Sequence, residues 1–178
     1  MCSVLKIFLL NILITFLSYG CCKKSDPKPL TELEKLPPAT QKGKDTFGCL
    51  VNGKAWVPKT TIDADAFYQL GVLQLGGGLF GPTQFIEMGL LEVNGFRIQE
   101  GTYPLIKTAN SFSNAGIETS PNTLCSYSPS DTFSGTLTIT KFDRVLYIVS
   151  GLFEFSTVAS GCDTLKITNG RFDIRYTP

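Results

Sequence analysis

Short apolar runs that end in Gly, Pro or Asn-Gly recur along this chain, and they constrain its fold more than any other feature. Asn-Gly stands at residues 52–53, 94–95 and 169–170, each time beside segments rich in apolar and β-branched residues. This dipeptide favours tight hairpins because both central residues of a type I′ turn need positive φ. No segment keeps a helical period of apolar residues over several turns. The pattern therefore predicts an all-β fold.

The alternation of apolar and polar residues predicts where the strands lie. A first hairpin is predicted about Asn52-Gly53, with Phe47 and Cys49 facing the core, and another about Asn169-Gly170. Residues 109–123 are polar and predict a loop. Further strands are predicted over residues 67–75, 84–93, 96–99, 101–105, 136–140 and 145–156. About nine short strands of this kind fit a single antiparallel β-sandwich or barrel-like domain over residues 46–178.

The first residues have the order of an export signal. Lys6 is followed by an apolar run over residues 7–17, and Gly20 precedes Cys21. As a helix this run covers about 16 Å, too short for a bilayer core of about 30 Å. The cleavage region resembles the lipobox of bacterial lipoproteins, with Ser18 in place of the usual Leu, and predicts that residues 1–20 are removed and Cys21 is acylated. Cys22 is the rival site, and an ordinary secretory signal or an uncleaved anchor is the alternative.

Residues 21–45 differ in composition from the rest of the chain. They are rich in Pro and Lys, and prolines on both sides limit any helical turn over residues 31–36. This composition predicts a flexible, semi-extended tether between the lipid and the folded domain.

Motifs at both ends of the domain resemble a family of Bacteroidetes lipoproteins that has no established activity. The opening motif is Thr46–Trp56 (TFGCLVNGKAW), and the closing motifs are residues 135–143 (GTLTITKFD), 150–155 (SGLFEF) and 167–173 (ITNGRFD). The resemblance implies a lipid-anchored envelope protein and transfers no functional residue. Some surface lipoproteins of that phylum carry an acidic run just after the acylated cysteine. Here basic residues follow Cys22, so both the periplasmic and the surface face of the outer membrane agree with the sequence.

Three of the six cysteines fall inside the predicted domain. An exported protein can keep disulfides, and three cysteines allow one bridge in three ways. Cys125 precedes one predicted strand and Cys162 follows the next, so in a meander both lie at the same end of the sheet. We therefore predict a Cys125–Cys162 disulfide and a buried free thiol at Cys49.

The sequence gives little support to catalysis or to a cofactor. The chain has no histidine, and its 16 basic and 15 acidic residues give no bias towards nucleic acid. The cysteines lack zinc-site spacing, and residues 76–78 are Gly-Gly-Gly without the rest of a P-loop, which predicts close strand packing instead. Asp63 and Asp65 lack the rest of a calcium loop. Two of the acids Glu87, Glu92 and Glu154 could form a glycosidase-like acid pair, but all three fit the solvent side of strands.

Binding is the better-supported class of function. Trp56 is the only tryptophan, and it is predicted either to stack on a sugar or to complete the core. Residues 110–122 form the most loop-like part of the predicted domain. We expect a lipid-anchored, non-catalytic module that binds a protein or glycan or serves as a structural subunit. The alternative is an accessory lipoprotein that binds or degrades glycans.

Overall fold

The computed structural model describes residues 28–58, 64–79, 84–120 and 123–178, and these fold into two antiparallel sheets packed as a sandwich. The all-β prediction is confirmed. The eleven strands of the described residues are β1 Thr46–Val51, β2 Lys54–Trp56, β3 Ala64–Gln69, β4 Val72–Leu79, β5 Gln84–Leu91, β6 Gly101–Pro104, β7 Ser111–Ser120, β8 Thr123–Tyr127, β9 Thr132–Asp143, β10 Ile148–Thr157 and β11 Leu165–Arg175. Within the same residues, two short 3-10 helices occur at Leu33–Lys35, inside the predicted helical turn, and at Pro129–Asp131.

The two sheets differ in strand order. The six-stranded sheet runs β2-β1-β11-β10-β9-β6, and the five-stranded sheet runs β3-β4-β5-β7-β8. The chain end ties the sheets together along one edge, because the Tyr68 amide donates to the Thr177 carbonyl over 2.8 Å and the Thr177 amide donates to Ala66 over 2.9 Å. This pairing covers an edge strand that would otherwise expose unpaired backbone groups.

The core lies between the sheets and is built from alternate residues of both. Its large, fully buried side chains include Phe47, Leu73, Leu75, Ile86, Met88, Leu90, Tyr127, Leu137, Phe155 and Phe172. All buried apolar residues of the described chain lie between Leu36 and Tyr176. Residues 28–178 therefore contain the core of the sandwich.

The three Asn-Gly pairs have three different outcomes. Asn52-Gly53 forms the predicted hairpin, with φ of 48° and 81°. Asn94-Gly95 also turns the chain, but the following residues cross to the other sheet instead of pairing with β5. The hairpin predicted at Asn169-Gly170 is wrong. Only Asn169 takes a positive φ, and β11 continues through the pair as a bulge against both β1 and β10.

Two other segments differ from their predictions. The predicted strand over residues 67–75 is two strands joined by a tight turn at Leu70-Gly71, which pairs Gln69 with Val72. The predicted loop over residues 109–123 contains β7, which pairs with β5 through Ser113 and Ala115 among others. The small inward side chains of β7 fit between the sheets, so the strand is buried without an apolar signature.

The predicted tether is wrong for the residues that the structure describes from Glu32 onwards. Leu36 is buried, and Pro37 lies so close to Gly48 that a Cβ atom there would approach its ring to 2.8 Å. The Glu32 carboxylate accepts a 2.7 Å hydrogen bond from the Ala55 amide on edge strand β2. Residues 32–45, the N-terminal segment, therefore pack on the six-stranded sheet. Residues 1–27 lie outside the described part.

Asp173 fixes the end of the N-terminal segment. Its buried carboxylate accepts hydrogen bonds from the hydroxyl of Thr40 and from the backbone amides of Lys42 at 3.0 Å, Gly43 at 2.8 Å and Lys44 at 3.3 Å. The Ser150 hydroxyl donates a further bond of 2.8 Å. Burial alone would raise the pKa of Asp173, but the bonds from Thr40, Lys42, Ser150 and Gly43 outweigh it and hold the pKa below its usual value.

Candidate functional site

Trp56, the residue proposed from sequence as a ligand contact, is part of the core. Its side chain is buried, its ring packs edge-on against Phe47, and its indole Nε1 donates to Gln84 Oε1 over 3.1 Å. A buried indole that already has a hydrogen-bond partner cannot stack on a sugar without opening the sandwich. The prediction that Trp56 stacks on a sugar is therefore wrong, and its alternative, that Trp56 completes the core, agrees with the structure.

The predicted Cys125–Cys162 disulfide is present, with the two Cα atoms 6.0 Å apart. Its setting differs from the prediction, because Cys125 lies on β8 of the five-stranded sheet and Cys162 follows β10 of the six-stranded sheet. The bond therefore links the two sheets rather than neighbours in one meander. Cys49 is buried and free, as predicted, and burial raises the pKa of its thiol.

The acidic residues that the sequence offers as candidate site residues do not lie together in the structure. Glu87 lies on β5 and accepts hydrogen bonds from Gln74 at 2.6 Å and Asn114 at 3.1 Å. Glu154 lies on β10 of the other sheet, so the two do not form an acid pair. Burial, followed by the charge of Glu87, raises the pKa of Asp65, while Asp63 lies outside the described residues. In the described part of the chain, no three His, Cys, Asp or Glu side chains meet as a metal site.

Gly76 and Gly77 permit the close packing that the sequence predicts. A Cβ atom on Gly77 would lie 2.8 Å from the Phe47 ring, and one on Gly76 would lie 2.6 Å from the Ile86 carbonyl oxygen. The triplet is therefore a packing feature of β4 and not a phosphate-binding loop.

A groove of about 400 Å³ crosses the outer face of the six-stranded sheet. Side chains from three neighbouring strands line it: Thr136 and Thr138 of β9, Leu152 and Glu154 of β10, and Asn169 and Arg171 of β11. They share one face because alternate residues of a strand point the same way. The bulge at Asn169 lies in this groove, and bulges commonly redirect side chains beside binding sites.

The groove combines donors, acceptors and one apolar contact. The Arg171 guanidinium donates to the Pro37 carbonyl at 3.3 Å and to the Asn169 carbonyl at 3.4 Å, which orients its remaining N–H groups. The exposed Glu154 carboxylate makes no hydrogen bond or ion pair with the described residues. Leu152 supplies an exposed apolar surface between these polar groups. The arrangement can hold a polar ligand by several directed hydrogen bonds.

A second unusual surface lies at one end of the sandwich, and we call it the apolar tip. It consists of Leu70 in the β3–β4 turn and of Val145, Leu146 and Tyr147 in the β9–β10 turn, all exposed. The sequence pattern predicts that residues 145–147 belong to a strand, because their apolar character continues the pattern of β10. The turn forms nevertheless, since the Asp143 carboxylate accepts from the amides of Val145 at 3.0 Å and Leu146 at 2.8 Å.

A polar cluster beneath the apolar tip joins its two turns. The guanidinium carbon of Arg144 lies 4.7 Å from the ring centres of both Tyr68 and Phe142. Arg144 also donates to the Ile98 carbonyl at 3.1 Å and pairs with Glu92 at 3.4 Å. Gly71, which follows Leu70, contacts Glu92 and accepts from its amide at 2.7 Å.

Glu92 is the buried charge of this cluster, although its sequence context predicted a solvent-facing strand position. Only 4% of its side chain is exposed, and it accepts from Arg97 at 2.8 Å and from the Ile98 amide at 2.9 Å. Burial raises the pKa of Glu92, but hydrogen bonds from Ile98, Arg97 and Tyr68 more than offset it, so the pKa lies below its usual value. No sequence pattern connects Glu92 with Arg144, because their contact depends on how the sheets pack.

No helix in the described part of the chain is long and apolar enough to cross a membrane. Comparisons with protein-family models, with curated proteins and with solved structures find no match for this chain.

Proposed function

We propose that this protein is exported, acylated at Cys21 and held at the cell envelope, where its β-sandwich acts as a non-catalytic binding module. The signal-like run over residues 7–17 followed by Gly20-Cys21 carries the proposal. The disulfide between Cys125 and Cys162 supports it, because such bonds persist in oxidising compartments outside the cytoplasm. The resemblance of the end motifs to Bacteroidetes lipoproteins points to the outer membrane, on either its periplasmic or its surface face.

The fixed N-terminal segment fits this role. Residues 32–45 pack on the sheet and end at the Asp173 carboxylate, so a lipid at Cys21 would hold the sandwich through a short connection rather than a long free tether. A partner would then meet a domain whose orientation near the membrane is restricted.

A glycan-binding accessory role is the second candidate, and the groove on the outer face favours it. Hydroxyl, amide, carboxylate and guanidinium groups from Thr136, Thr138, Asn169, Glu154 and Arg171 surround the apolar Leu152. Polyhydroxylated ligands require several directed hydrogen bonds together with an apolar contact. Because Trp56 lies in the core, we propose the groove and not Trp56 as the glycan contact.

Fractionation and protease digestion of intact cells test the envelope role. Wild-type protein with a C-terminal tag is expected in the membrane fraction with metabolically incorporated palmitate, whereas Cys21→Ala is expected to lose both. Cys22→Ala serves as the matched control and should keep both. Acylation that survives in Cys21→Ala would contradict the proposal, and digestion of the anchored protein on unbroken cells would assign it to the surface.

Binding of residues 28–178 to a glycan panel tests the groove. For any glycan bound, Glu154→Gln should weaken binding about tenfold, because a hydrogen bond to a charged group contributes roughly 1.5–3 kcal/mol. Asp65→Asn, at an exposed carboxylate on β3 of the other sheet, is the control and should bind normally. Glycan binding that is unaffected by Glu154→Gln and Arg171→Gln would exclude the groove.

A further inference from the structure

Two residues of the apolar tip have a backbone conformation that is costly for folding, and one of them, Leu70, gains nothing from burial. Six non-glycine residues of the described chain have positive φ, and four of them are Asn or Asp, the types that tolerate this conformation. The other two are Leu70 at 51° and Tyr147 at 54°, and both belong to the apolar tip. Leu70 is as exposed as in an extended peptide, at 103%, and Val145 is 83% exposed. Asn would suit the Leu70 turn better, so stability does not account for Leu there.

The turns that carry these side chains are held rigidly. Asp143 fixes the β9–β10 turn through two backbone amides, and Arg144 lies over both the Tyr68 and Phe142 rings. The Tyr147 ring packs on Tyr176, with centroids 5.8 Å apart. A rigid display of apolar side chains lowers the entropy that is lost when they enter another phase or surface.

Around the apolar tip, the positively charged side chains are exposed and their carboxylate partners are mostly covered. The cations Arg97, Arg144 and Arg175 expose half or more of their side chains, and Lys44 is exposed beside them. Their carboxylate partners are mostly covered, since Glu92 exposes 4% of its side chain and Asp45 28%. Glu100 is an exposed carboxylate at the border of this end. The outermost charge is therefore predominantly positive.

We propose that the apolar tip docks on the surface of an anionic lipid bilayer. Leu70, Val145 and Leu146 would enter the boundary between headgroups and acyl chains, and Tyr147 would lie at the headgroup level, where aromatic side chains with a polar end are favoured. The exposed arginines would contact lipid phosphates, which guanidinium groups bind through paired hydrogen bonds. Charge complementarity favours this occupant, because the exposed arginines present the outermost charge of the tip while their partners Glu92 and Asp45 are largely covered.

This contact is independent of acylation at Cys21 and would add a second point of attachment. Two membrane signals together bind more firmly than either one alone. The two turns protrude at the end of the sandwich, so the groove on the outer face of the six-stranded sheet remains open while the tip is docked.

Sedimentation of residues 28–178 with vesicles tests the proposal without any contribution from Cys21. We expect binding to vesicles of phosphatidylcholine mixed with phosphatidylglycerol, weak binding to pure phosphatidylcholine, and loss of binding as salt is raised.

Arg97→Gln with Arg175→Gln should weaken binding about fivefold for each arginine removed. The triple variant Leu70→Asn, Val145→Ser, Leu146→Ser should reduce binding at least tenfold. The single variant Leu70→Asn is informative because it should bind less well while unfolding at a higher temperature.

Phe133→Ser with Val158→Ser is the matched control, since it removes exposed apolar side chains at the ends of β9 and β10 that lie away from the β9–β10 turn. The control should bind anionic vesicles like the wild type. The proposal fails if the wild type binds neither kind of vesicle. An acidic protein surface would then be the next partner of the apolar tip to test. The proposal also fails if the folded triple variant binds as well as the wild type, or if the control loses binding equally.

Discussion

At the residue scale, Asp173 is a buried carboxylate that holds the end of the N-terminal segment against the sheet. The sequence pattern places it among alternating polar residues of the last strand, on the solvent side, yet it is 1% exposed. It is tolerated in the interior because five donors surround its carboxylate. Asp173→Asn keeps the shape but replaces one acceptor oxygen with an NH₂ donor facing other donors. We expect it to lower the free energy of unfolding by roughly 2–4 kcal/mol, measured by urea denaturation.

The same residue makes stability depend on pH. The pKa of Asp173 is lower in the folded protein than in the unfolded chain, so the folded state binds its proton less readily. Its contribution is therefore fully present above the unfolded pKa of about 3.9 and is lost as the pH falls through the lower folded value. Denaturation curves should show the difference between wild type and Asp173→Asn shrinking below about pH 4. A constant difference down to the lowest pH that permits folding would argue against this role.

Trp56 offers a second test at this scale. Trp56→Ala should cost about 3–5 kcal/mol, because it removes a buried ring that packs on Phe47 and leaves a cavity. Trp56→Phe retains most of the apolar surface and should cost less. The quantity to measure is the urea midpoint of each variant, and a midpoint unchanged by Trp56→Ala would contradict the role of Trp56 in the core.

At the element scale, the β3–β4 turn is predicted to be suboptimal for folding. Leu70 has a φ of 51° and is fully exposed, whereas Asn occupies the corresponding position of the Asn52-Gly53 hairpin. Leu70→Asn should raise the free energy of unfolding by about 1 kcal/mol, since Asn adopts this conformation at lower cost. Differential scanning calorimetry would show the gain as a higher melting temperature. Leu70→Ala is the control, because it removes the apolar side chain without favouring positive φ.

The elements also show what local patterns can and cannot predict. Asn52-Gly53 was predictable because a two-residue turn joins strands that pair with each other. Asn169-Gly170 has the same letters, but pairing of β11 with β1 on one side and β10 on the other keeps the chain extended, so the pair forms a bulge. The strand β7 was missed because its inward residues include Ser113, whose hydroxyl donates to the Leu105 carbonyl across 3.1 Å. These outcomes depend on partners far away in sequence, which no local window contains.

At the scale of the whole molecule, the sequence predicted the fold class and the disulfide but neither candidate surface. The groove draws its side chains from three strands whose order is set by long-range pairing. The apolar tip joins turns at Leu70 and Val145, which lie 75 positions apart in the numbering. Alternation tells which face of a strand is buried, and it cannot tell which strands become neighbours.

The disulfide cross-links the two sheets, and its removal should affect the whole domain. Cys125 and Cys162 are separated by 37 positions, a loop for which the chain-entropy model gives roughly 3–4 kcal/mol. Cys125→Ser with Cys162→Ser should lower the free energy of unfolding by about that amount in urea. Reducing agent should destabilise the wild type to a similar degree and leave the double variant unchanged, because Cys49 is free in both. Equal stability of the two proteins under oxidising conditions would show that the packing between the sheets holds the sandwich together without the bond.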